Sequence, residues 1–283
     1  MIILDYNQIA LSNIIAQKLA PEEDLIRHMI LNSIRMYNQK FKKDYGQVVI
    51  ASDGAMSWRR KYFPNYKASR RKNREESAVD WNEIFRILKV VREELVEYSQ
   101  YCVINLDGCE ADDVIGTLAA NTQEFGKHEP VMIVSSDKDF VQLHRFDNVK
   151  QFSPMQKKFV TEKNPRLYFH EHILRGDSGD GVPNILSGDN VFVDGVRQTP
   201  ISAKKIEEYI RNIEDLRSVV TEDVYRNYQR NKTLIDLTYT PQELKDEIIN
   251  RYEGYKPPHK SKFLNYLIKK RCKLLIECIE EFY

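Results

Sequence analysis

Residues 131–140 read VMIVSSDKDF, four apolar residues followed at once by a short acidic turn. The apolar run is too short for a helix and is rich in Val and Ile, which is typical of a buried parallel strand. The same pattern, an apolar run that ends within two residues of an aspartate, recurs at residues 1–4, 47–51 and 101–106. These four runs predict a sheet whose strands end in carboxylates.

Segments with helical periodicity separate the predicted strands, at residues 21–42, 81–98 and 111–125. Strands that alternate with helices predict an α/β fold with a mainly parallel central sheet flanked by helices. Ligands of such sheets bind beyond the carboxyl ends of the strands. We therefore expect Asp5, Asp53 and Asp137 to lie at the binding edge of the sheet.

The pattern after about residue 165 is helical only. A helix over residues 165–175 ends at Gly176, Thr199-Pro200 predicts the start of another, and a capping box at residues 240–243 begins a helix that ends at Gly254. A last amphipathic helix is predicted over residues 262–282. We expect an α/β domain at 1–164 and a smaller helical domain at 165–283.

Further carboxylates follow the predicted strand ends and helix starts. They are Glu110, Asp112, Asp113, Asp139, Asp177 and Asp180. Helical geometry predicts that Glu110 and Asp112 flank the buried face of their helix and that Asp113 points away. Any one of these carboxylates could simply cap a helix or make a turn. The whole set is harder to explain in that way.

Carboxylates that cluster repel one another, so their negative charge must be offset. Two of them at ~4 Å repel by about 4 kcal/mol at an effective dielectric of ~20, so either their pKa values rise or divalent cations bind. A ligand set of oxygens without His or Cys suits Mg²⁺ or Mn²⁺ rather than zinc.

Residues 59–74 carry eight basic side chains and no acidic one, although the 43 basic and 42 acidic residues of the chain nearly balance. Aromatic residues are interleaved with the cations, a pattern typical of segments that stack on bases and pair with phosphates. The alternative is a solvated charged loop. Because the segment follows Asp53 closely, we favour an arch at about residues 56–78 that binds a phosphodiester.

Taken together, these motifs resemble the flap endonuclease and 5′-nuclease family over nearly the whole chain. The motifs that carry the resemblance are Leu4-Asp5, Asp53, Pro64-x-Tyr66-Lys67-x-x-Arg70, Glu110-Ala111-Asp112-Asp113, Ser136-Asp137-x-Asp139-Phe140 and the turn from Gly176 to Pro183. The resemblance implies a metal-dependent nuclease, with 5′-to-3′ exonuclease and flap endonuclease activity, that removes RNA primers during replication. Its implied substrates are RNA/DNA hybrids and branched or nicked DNA.

The resemblance also implies two Mg²⁺ ions, for which Mn²⁺ would substitute. The first group of ligands would be Asp5, Asp53, Glu110, Asp112 and Asp137, and the second Asp139, Asp177 and Asp180, with Asp113 as a further candidate. Asp112 and Asp137 would be catalytic together with two arch cations, Lys67 and Arg70.

The remaining implied roles concern nucleic acid. Lys67 and Arg70 would contact the scissile phosphate and Tyr66 would stack on the terminal base. The other arch candidates are Arg59, Arg60, Arg71 and Lys72. Gly179 and Gly181 would hold duplex backbone through main-chain amides in a helix-three-turn-helix. The long stretch at residues 184–199 departs from many relatives and weighs against a potassium ion at this turn.

Two alternatives remain open. A Mg²⁺-dependent phosphatase or sugar-transfer enzyme would use Asp137-x-Asp139, but it leaves the cationic arch unexplained. A catalytically silent DNA-structure-binding protein would be expected to lack a central carboxylate, and none is missing.

Localisation and partners follow from composition and from the resemblance. Four cysteines without Cys-x-x-Cys spacing indicate reduced thiols, and neither a leader nor an apolar stretch of about 20 residues is present. We expect a cytoplasmic monomer, in the host cytoplasm if a phage encodes it, with no membrane contact. A single-stranded-DNA-binding protein or a sliding clamp is the candidate protein partner.

Overall fold

A computed structural model describes residues 1–17 and 21–283, with side chains at all of these positions except 16, 17, 71–73 and 75. The chain forms two compact units. Unit 1 comprises residues 1–55, 80–161 and 240–283, and unit 2 comprises residues 56–79 and 162–239. The division differs from the expected one, because the last 44 residues pack in unit 1 and the arch belongs to unit 2.

Unit 1 is built on a six-stranded sheet. Its strands are β1 (Ile2–Asp5), β2 (Val48–Ser52), β3 (Cys102–Asn105), β4 (Val131–Val134), β5 (Val149–Ser153) and β6 (Lys158–Val160). The strand order is β3-β2-β1-β4-β5-β6, and only the β5–β6 pair is antiparallel. The predicted mainly parallel sheet is confirmed.

Helices surround the strands in chain order. They are α1 (Tyr6–Gln17), α2 (Glu23–Tyr45), α3 (Trp58–Tyr62), α4 (Ala68–Glu75), α5 (Trp81–Tyr98), α6 (Ala111–Asn121), α7 (Pro165–Arg175), α8 (Ala203–Arg211), α9 (Glu222–Ile235), α10 (Gln242–Glu253), α11 (Lys260–Lys269) and α12 (Lys273–Ile276). Short 3₁₀ helices lie at Asp139–Arg145, Ile213–Ser218, Leu237–Tyr239 and Ile279–Phe282.

Both faces of the central strands are buried, which is why their sequences are continuous apolar runs. Ile2, Leu4 and Ile50 join one core cluster with α2, α5 and α11. Alternate side chains such as Ile3 and Val49 point to the other face, and α6 contacts β1 and β2. The carboxyl ends of β1, β2 and β4 are therefore held at one edge by a packed sheet.

The sequence missed β5 and β6, whose alternation of polar and apolar residues is weak over so short a length. The predicted start of a helix at Thr199-Pro200 is wrong, because Ser202 is the N-cap and accepts a hydrogen bond from the Lys205 amide at 3.2 Å. The predicted continuous last helix is also wrong. It breaks between α11 and α12, where Arg271 adopts a φ of 56°.

Unit 2 has a core of its own. Ile173 and Leu174 of α7 pack with Ile206 of α8 and Leu234 of α9, and the arch residue Phe63 joins this cluster. No helix among the described residues is long and apolar enough to cross a membrane.

Candidate metal centre and cationic arch

Asp5 lies at the centre of the carboxylate edge of unit 1. Its strand β1 runs between β2 and β4, and neighbouring strands of a sheet are about 4.8 Å apart. The side chain is buried, with Oδ1 accepting from the Gln8 amide at 3.1 Å and Oδ2 from the Ser135 hydroxyl at 3.0 Å. Two hydrogen bonds thus fix the orientation of this carboxylate.

The turn after β4 carries the next two carboxylates. Ser135 Oγ, which donates to Asp5, accepts from the Asp137 amide at 3.1 Å, and Asp137 Oδ1 accepts from the Asp139 amide at 2.9 Å. Gln151 on β5 donates to the Asp137 carbonyl at 2.6 Å. Asp137 is exposed and Asp139 is half-buried, so this pair is accessible to a ligand.

Asp53 connects the end of β2 to the start of α6. Its Oδ1 accepts from the Ala111 amide at 2.8 Å and its Oδ2 from Asn7 Nδ2 at 2.6 Å. The amide ends of helices favour negative charge, which stabilises Asp53 in this place. The contact also brings Glu110, which is buried, and Asp112, which is half-buried, to the same edge of the sheet.

Asp113 differs from its neighbours, and the prediction that it points away is wrong. Its side chain is fully buried, with Oδ2 accepting from the Glu110 amide at 2.8 Å and Oδ1 from the Thr240 hydroxyl at 2.6 Å. Both oxygens hold the start of α6 and the segment before α10. These contacts fit a structural role better than metal ligation.

The donors at this edge suit a hard divalent cation. Six carboxylates other than Asp113 come from β1, the loop after β2, the start of α6 and the turn after β4, and all of them offer oxygen. Sequence reasoning missed Asn7 and Ser135, which orient Asp53 and Asp5. The sequence signal that could have identified them is their position, because Asn7 lies two residues after Asp5 and Ser135 two residues before Asp137.

The remaining predicted carboxylates and glycines lie in the turn after α7, within unit 2. Asp177 Oδ1 accepts from the Gly179 amide at 2.7 Å and from the Asp180 amide at 3.3 Å. The Gly181 amide donates to the Ser178 carbonyl at 3.3 Å. The amides of Gly179 and Gly181 therefore donate within the turn, which does not support the predicted main-chain grip on duplex backbone.

Asp180 contacts three residues of the arch. Its carboxylate accepts a hydrogen bond from the Tyr66 hydroxyl at 2.8 Å, lies 3.4 Å from Lys67 Nζ and forms an ion pair with Arg70. Burial alone would raise the pKa of Asp180, but Lys67 and Arg70 outweigh burial and hold that pKa below its ordinary value. The predicted stacking of Tyr66 on a base is wrong for this arrangement, because Tyr66 is buried.

The other arch cations divide into buried and exposed ones. Arg59 is 1% exposed and its Nε donates to the Leu234 carbonyl at 2.8 Å, so its predicted role in nucleic-acid binding is wrong. Arg60, the next residue on α3, is exposed and remains a candidate. The side chains of Arg71 and Lys72 lie outside the described residues.

A parallel sheet edged by carboxylates, together with a unit that carries a cationic arch, defines a class of metal-dependent nuclease. Residues 1–171 match the family described as 5′-3′ exonuclease, N-terminal resolvase-like domain. Residues 164–282 match the family described as the C-terminal part of T4 ribonuclease H. The chain belongs to the 5′-3′ exonuclease family and is a metal-dependent nuclease of the phage ribonuclease H type.

Individual relatives agree with the family match. Ribonuclease H of enterobacteria phage T4 is 36% identical over 99% of this chain and 95% of its own length. An exodeoxyribonuclease of enterobacteria phage T3 is 27% identical over 74% of this chain and 66% of its own length. Among solved structures, a bacteriophage T5 flap endonuclease in complex with DNA and metal ions superposes with a TM-score of 0.66. At 17% identity, over 89% of this chain and 97% of that one, it shows a shared fold.

Proposed function

We propose that this protein is a 5′-to-3′ exonuclease and structure-specific flap endonuclease that removes RNA primers during DNA replication. Its substrates would be RNA/DNA hybrids and branched or nicked duplex DNA. The proposal depends above all on the meeting of carboxylates from four segments at one edge of the unit 1 sheet. The activities in the names of its relatives support the choice of substrate.

We further propose that this edge binds two Mg²⁺ ions, with Mn²⁺ as a substitute. The proposed ligands in unit 1 are Asp5, Asp53, Glu110, Asp112, Asp137 and Asp139. Bound ions of this kind lower the pKa of a coordinated water and offset negative charge on a phosphate. Asp177 stays a predicted ligand, and a potassium ion is not part of the proposal.

The protein's own residues would orient the reacting groups. Gln8, Ser135 and Asn7 hold two carboxylates in fixed orientations before any ligand arrives. Lys67 and Arg70 would bind the phosphate that is cut, since ammonium and guanidinium groups donate charge-assisted hydrogen bonds to phosphate oxygens.

The decisive experiment uses a 5′-labelled flap substrate and a matching RNA-primed hybrid, each incubated with the protein in Mg²⁺ or in EDTA. We expect short 5′ products and cuts at the flap junction with Mg²⁺ only. Asp112→Asn should abolish these products. Asp147→Asn, which changes an exposed carboxylate elsewhere in unit 1, should not.

The same assay distinguishes the two alternatives. Binding of the flap without cleavage in either condition would favour a silent DNA-structure-binding protein. Hydrolysis of p-nitrophenyl phosphate without cleavage of any nucleic acid would favour a phosphatase, and either result would reject the nuclease.

The cellular setting is also proposed. Its relatives from phages favour action in the host cytoplasm. We also propose that the protein is a monomer and that a single-stranded-DNA-binding protein or a sliding clamp is its partner. Light scattering of the purified protein, alone and mixed with such a partner, tests both statements.

A further inference from the structure

Gln151 is a buried polar side chain within the sheet of unit 1. It is 1% exposed on β5, where it pairs with Ile133 of β4 on one side and Val160 of β6 on the other. The facing strand β4 consists of four buried apolar residues. Burial of an amide costs free energy unless its donors and its acceptor are hydrogen-bonded. A glutamine at this position therefore needs a specific set of partners.

The Gln151 amide nitrogen holds the main chain of the turn after β4. Nε2 donates to the Ser135 carbonyl at 2.9 Å and to the Asp137 carbonyl at 2.6 Å. Both carbonyls lie beyond Val134, the last residue of β4. On the neighbouring strand β5 is followed by Pro154, which has no amide hydrogen to donate. The Gln151 side chain thus supplies donors where the main chain of the sheet stops supplying them.

The oxygen of the same amide must accept from another group, because both hydrogens on Nε2 are used. Gln151 Oε1 lies 3.0 Å from His144 Nε2, in the 3₁₀ helix that follows the turn. A neutral imidazole carries one ring hydrogen, so this contact is a hydrogen bond only when that hydrogen is on Nε2. The arrangement therefore requires the Nε2–H tautomer of His144.

We propose that His144 and Gln151 are positioning residues of the candidate metal centre, which hold the turn after β4 in place. Gln151 fixes the Ser135 carbonyl. The Ser135 hydroxyl in turn donates to Asp5 and accepts from the Asp137 amide. The pair thus acts on two proposed ligands through one serine. The inference rests on the proposed metal-dependent nuclease function and deepens it.

The contacts of Gln151 are compatible with bound ions. They end on main-chain oxygens, so they do not compete with a cation for the carboxylates of Asp137 and Asp139. A second buried glutamine makes the same kind of contact, since Gln142 Nε2 donates to the Asp139 carbonyl at 2.9 Å. Loss of a hydrogen bond that orients metal ligands typically lowers metal affinity or activity by about 10- to 100-fold. A change at His144 should therefore be measurable at the metal.

The first test determines the tautomer without metal or substrate. Long-range proton–nitrogen NMR spectra of the neutral imidazole distinguish Nε2–H from Nδ1–H, and the signals of His144 are those that disappear in His144→Phe. We expect Nε2–H. The Nδ1–H tautomer would leave two acceptors facing each other and would overturn the proposal.

The second test measures binding of Mn²⁺ alone, by calorimetry, to the full chain and to three variants whose folding is checked by circular dichroism. His144→Phe keeps a ring and removes the donor, and we expect its Mn²⁺ affinity to be about tenfold lower. His144→Gln, which offers an amide donor to Gln151 Oε1, should recover most of the loss. His128→Phe makes the same exchange at an exposed histidine before β4 and should bind as the wild type does. Equal affinities for His144→Phe and the wild type would contradict the proposal.

The third test separates positioning from a general loss of structure. With a 5′-flap substrate, we expect His144→Phe to raise the Mg²⁺ concentration that gives half of the maximal rate by about tenfold. At saturating Mg²⁺ its kcat should stay within about threefold of the wild type. A lower kcat at every Mg²⁺ concentration, with the same half-saturation, would assign His144 a merely structural role and reject the proposal.

A double variant tests whether the two residues act through one contact. Gln151→Met fills a similar volume without hydrogen bonds, and in this background His144→Phe should have little further effect on Mn²⁺ affinity. Additive losses would show that His144 acts independently of Gln151. If Gln151→Met does not fold, the tautomer and the single His144 variants decide the proposal.

The readouts also distinguish failure of this inference from failure of the proposed function. The tautomer and the Mn²⁺ affinities need no nuclease activity, so they decide the roles of His144 and Gln151 even if the wild type cuts no flap. If the wild type cuts a flap in Mg²⁺ and His144→Phe matches it in every measurement, only this inference is rejected.

Discussion

Asp137 is the proposed ligand most open to a bound ion. Its side chain is exposed at the end of β4, while its main chain is fixed by Ser135 and Gln151. A change in its charge should therefore affect the chemistry more than the fold. The surrounding hydrogen bonds use the Asp137 amide and carbonyl, and these are retained when the side chain is changed.

We expect Asp137→Asn to reduce flap cleavage by about 100-fold or more and to leave DNA affinity within about twofold. The magnitude is typical of removing one group that stabilises charge in a transition state. Single-turnover cleavage and fluorescence anisotropy measure the two quantities, and Asp147→Asn is the control. Unfolding of the variant, seen by circular dichroism, would instead assign Asp137 a structural role.

A single residue, His170 on α7, should make the free energy of unfolding depend on pH. Burial lowers its pKa below 6.5, with Arg166 adding to the effect, and its Nδ1 has no hydrogen-bond partner among the described residues. The unfolded chain therefore binds a proton at a higher pH than the folded one does. The contribution of neutral His170 to the free energy of unfolding should be fully present above about pH 6.5. It should decrease as the pH falls towards the pKa of His170 in the folded protein.

The expected result is a decrease in the free energy of unfolding between pH 7.5 and 5.5 that is smaller in His170→Gln. Each unit of difference in pKa contributes at most about 1.4 kcal/mol. Urea unfolding at the two pH values measures it. Curves for variant and wild type that fall in parallel would show that other groups cause the pH dependence.

At the scale of elements, α3 shows how adjacent arginines take opposite roles. This five-residue helix begins after Ser57, whose Oγ accepts from the Arg59 amide, and it turns Arg59 into the core of unit 2 and Arg60 to the surface. The basic run in the sequence did not distinguish them. A helix of this length has one buried side, and only packing decides which residue lies on it.

We expect Arg59→Ala to lower the free energy of unfolding by about 2 kcal/mol, because the Leu234 carbonyl loses its buried donor. Arg60→Ala should leave stability unchanged and weaken DNA binding. Its plot of log affinity against log salt should become shallower by about 0.9 if Arg60 contacts one duplex phosphate. Thermal melts and anisotropy titrations measure these effects. Loss of stability in Arg60→Ala and weaker DNA binding alone in Arg59→Ala would contradict the burial of Arg59.

Local sequence signals were enough to predict two of the helices but not the break in the last one. The predicted helices over 81–98 and 165–175 agree with α5 and α7, since Asp80 and Asn164 cap their first turns. The α5 pattern is also amphipathic, and α7 begins with Pro165. The last helix was predicted as continuous because its apolar spacing persists. The break at Arg271 depends on how α11 and α12 pack on α2 and α5.

For the molecule as a whole, repulsion among the carboxylates of unit 1 should couple metal binding to folding. Ions that bind only the folded state stabilise it by mass action, by about 2.7 kcal/mol at one hundred times Kd. We expect Mg²⁺ to raise the free energy of unfolding and Asp53→Asn to reduce that gain. Urea unfolding with and without Mg²⁺ measures it, with Asp147→Asn as the control. No gain in the wild type would contradict the proposed centre.

The sequence by itself determined the α/β class, the four strands that end near carboxylates and the identity of all the proposed ligands. These features depend on local periodicity and on residue type, which a single chain displays directly. Tertiary structure alone decided that Asp113, Arg59 and Tyr66 are buried, that Asp180 pairs with the arch, and that residues 240–283 complete unit 1. Each of these outcomes depends on partners distant in sequence, which no local pattern specifies.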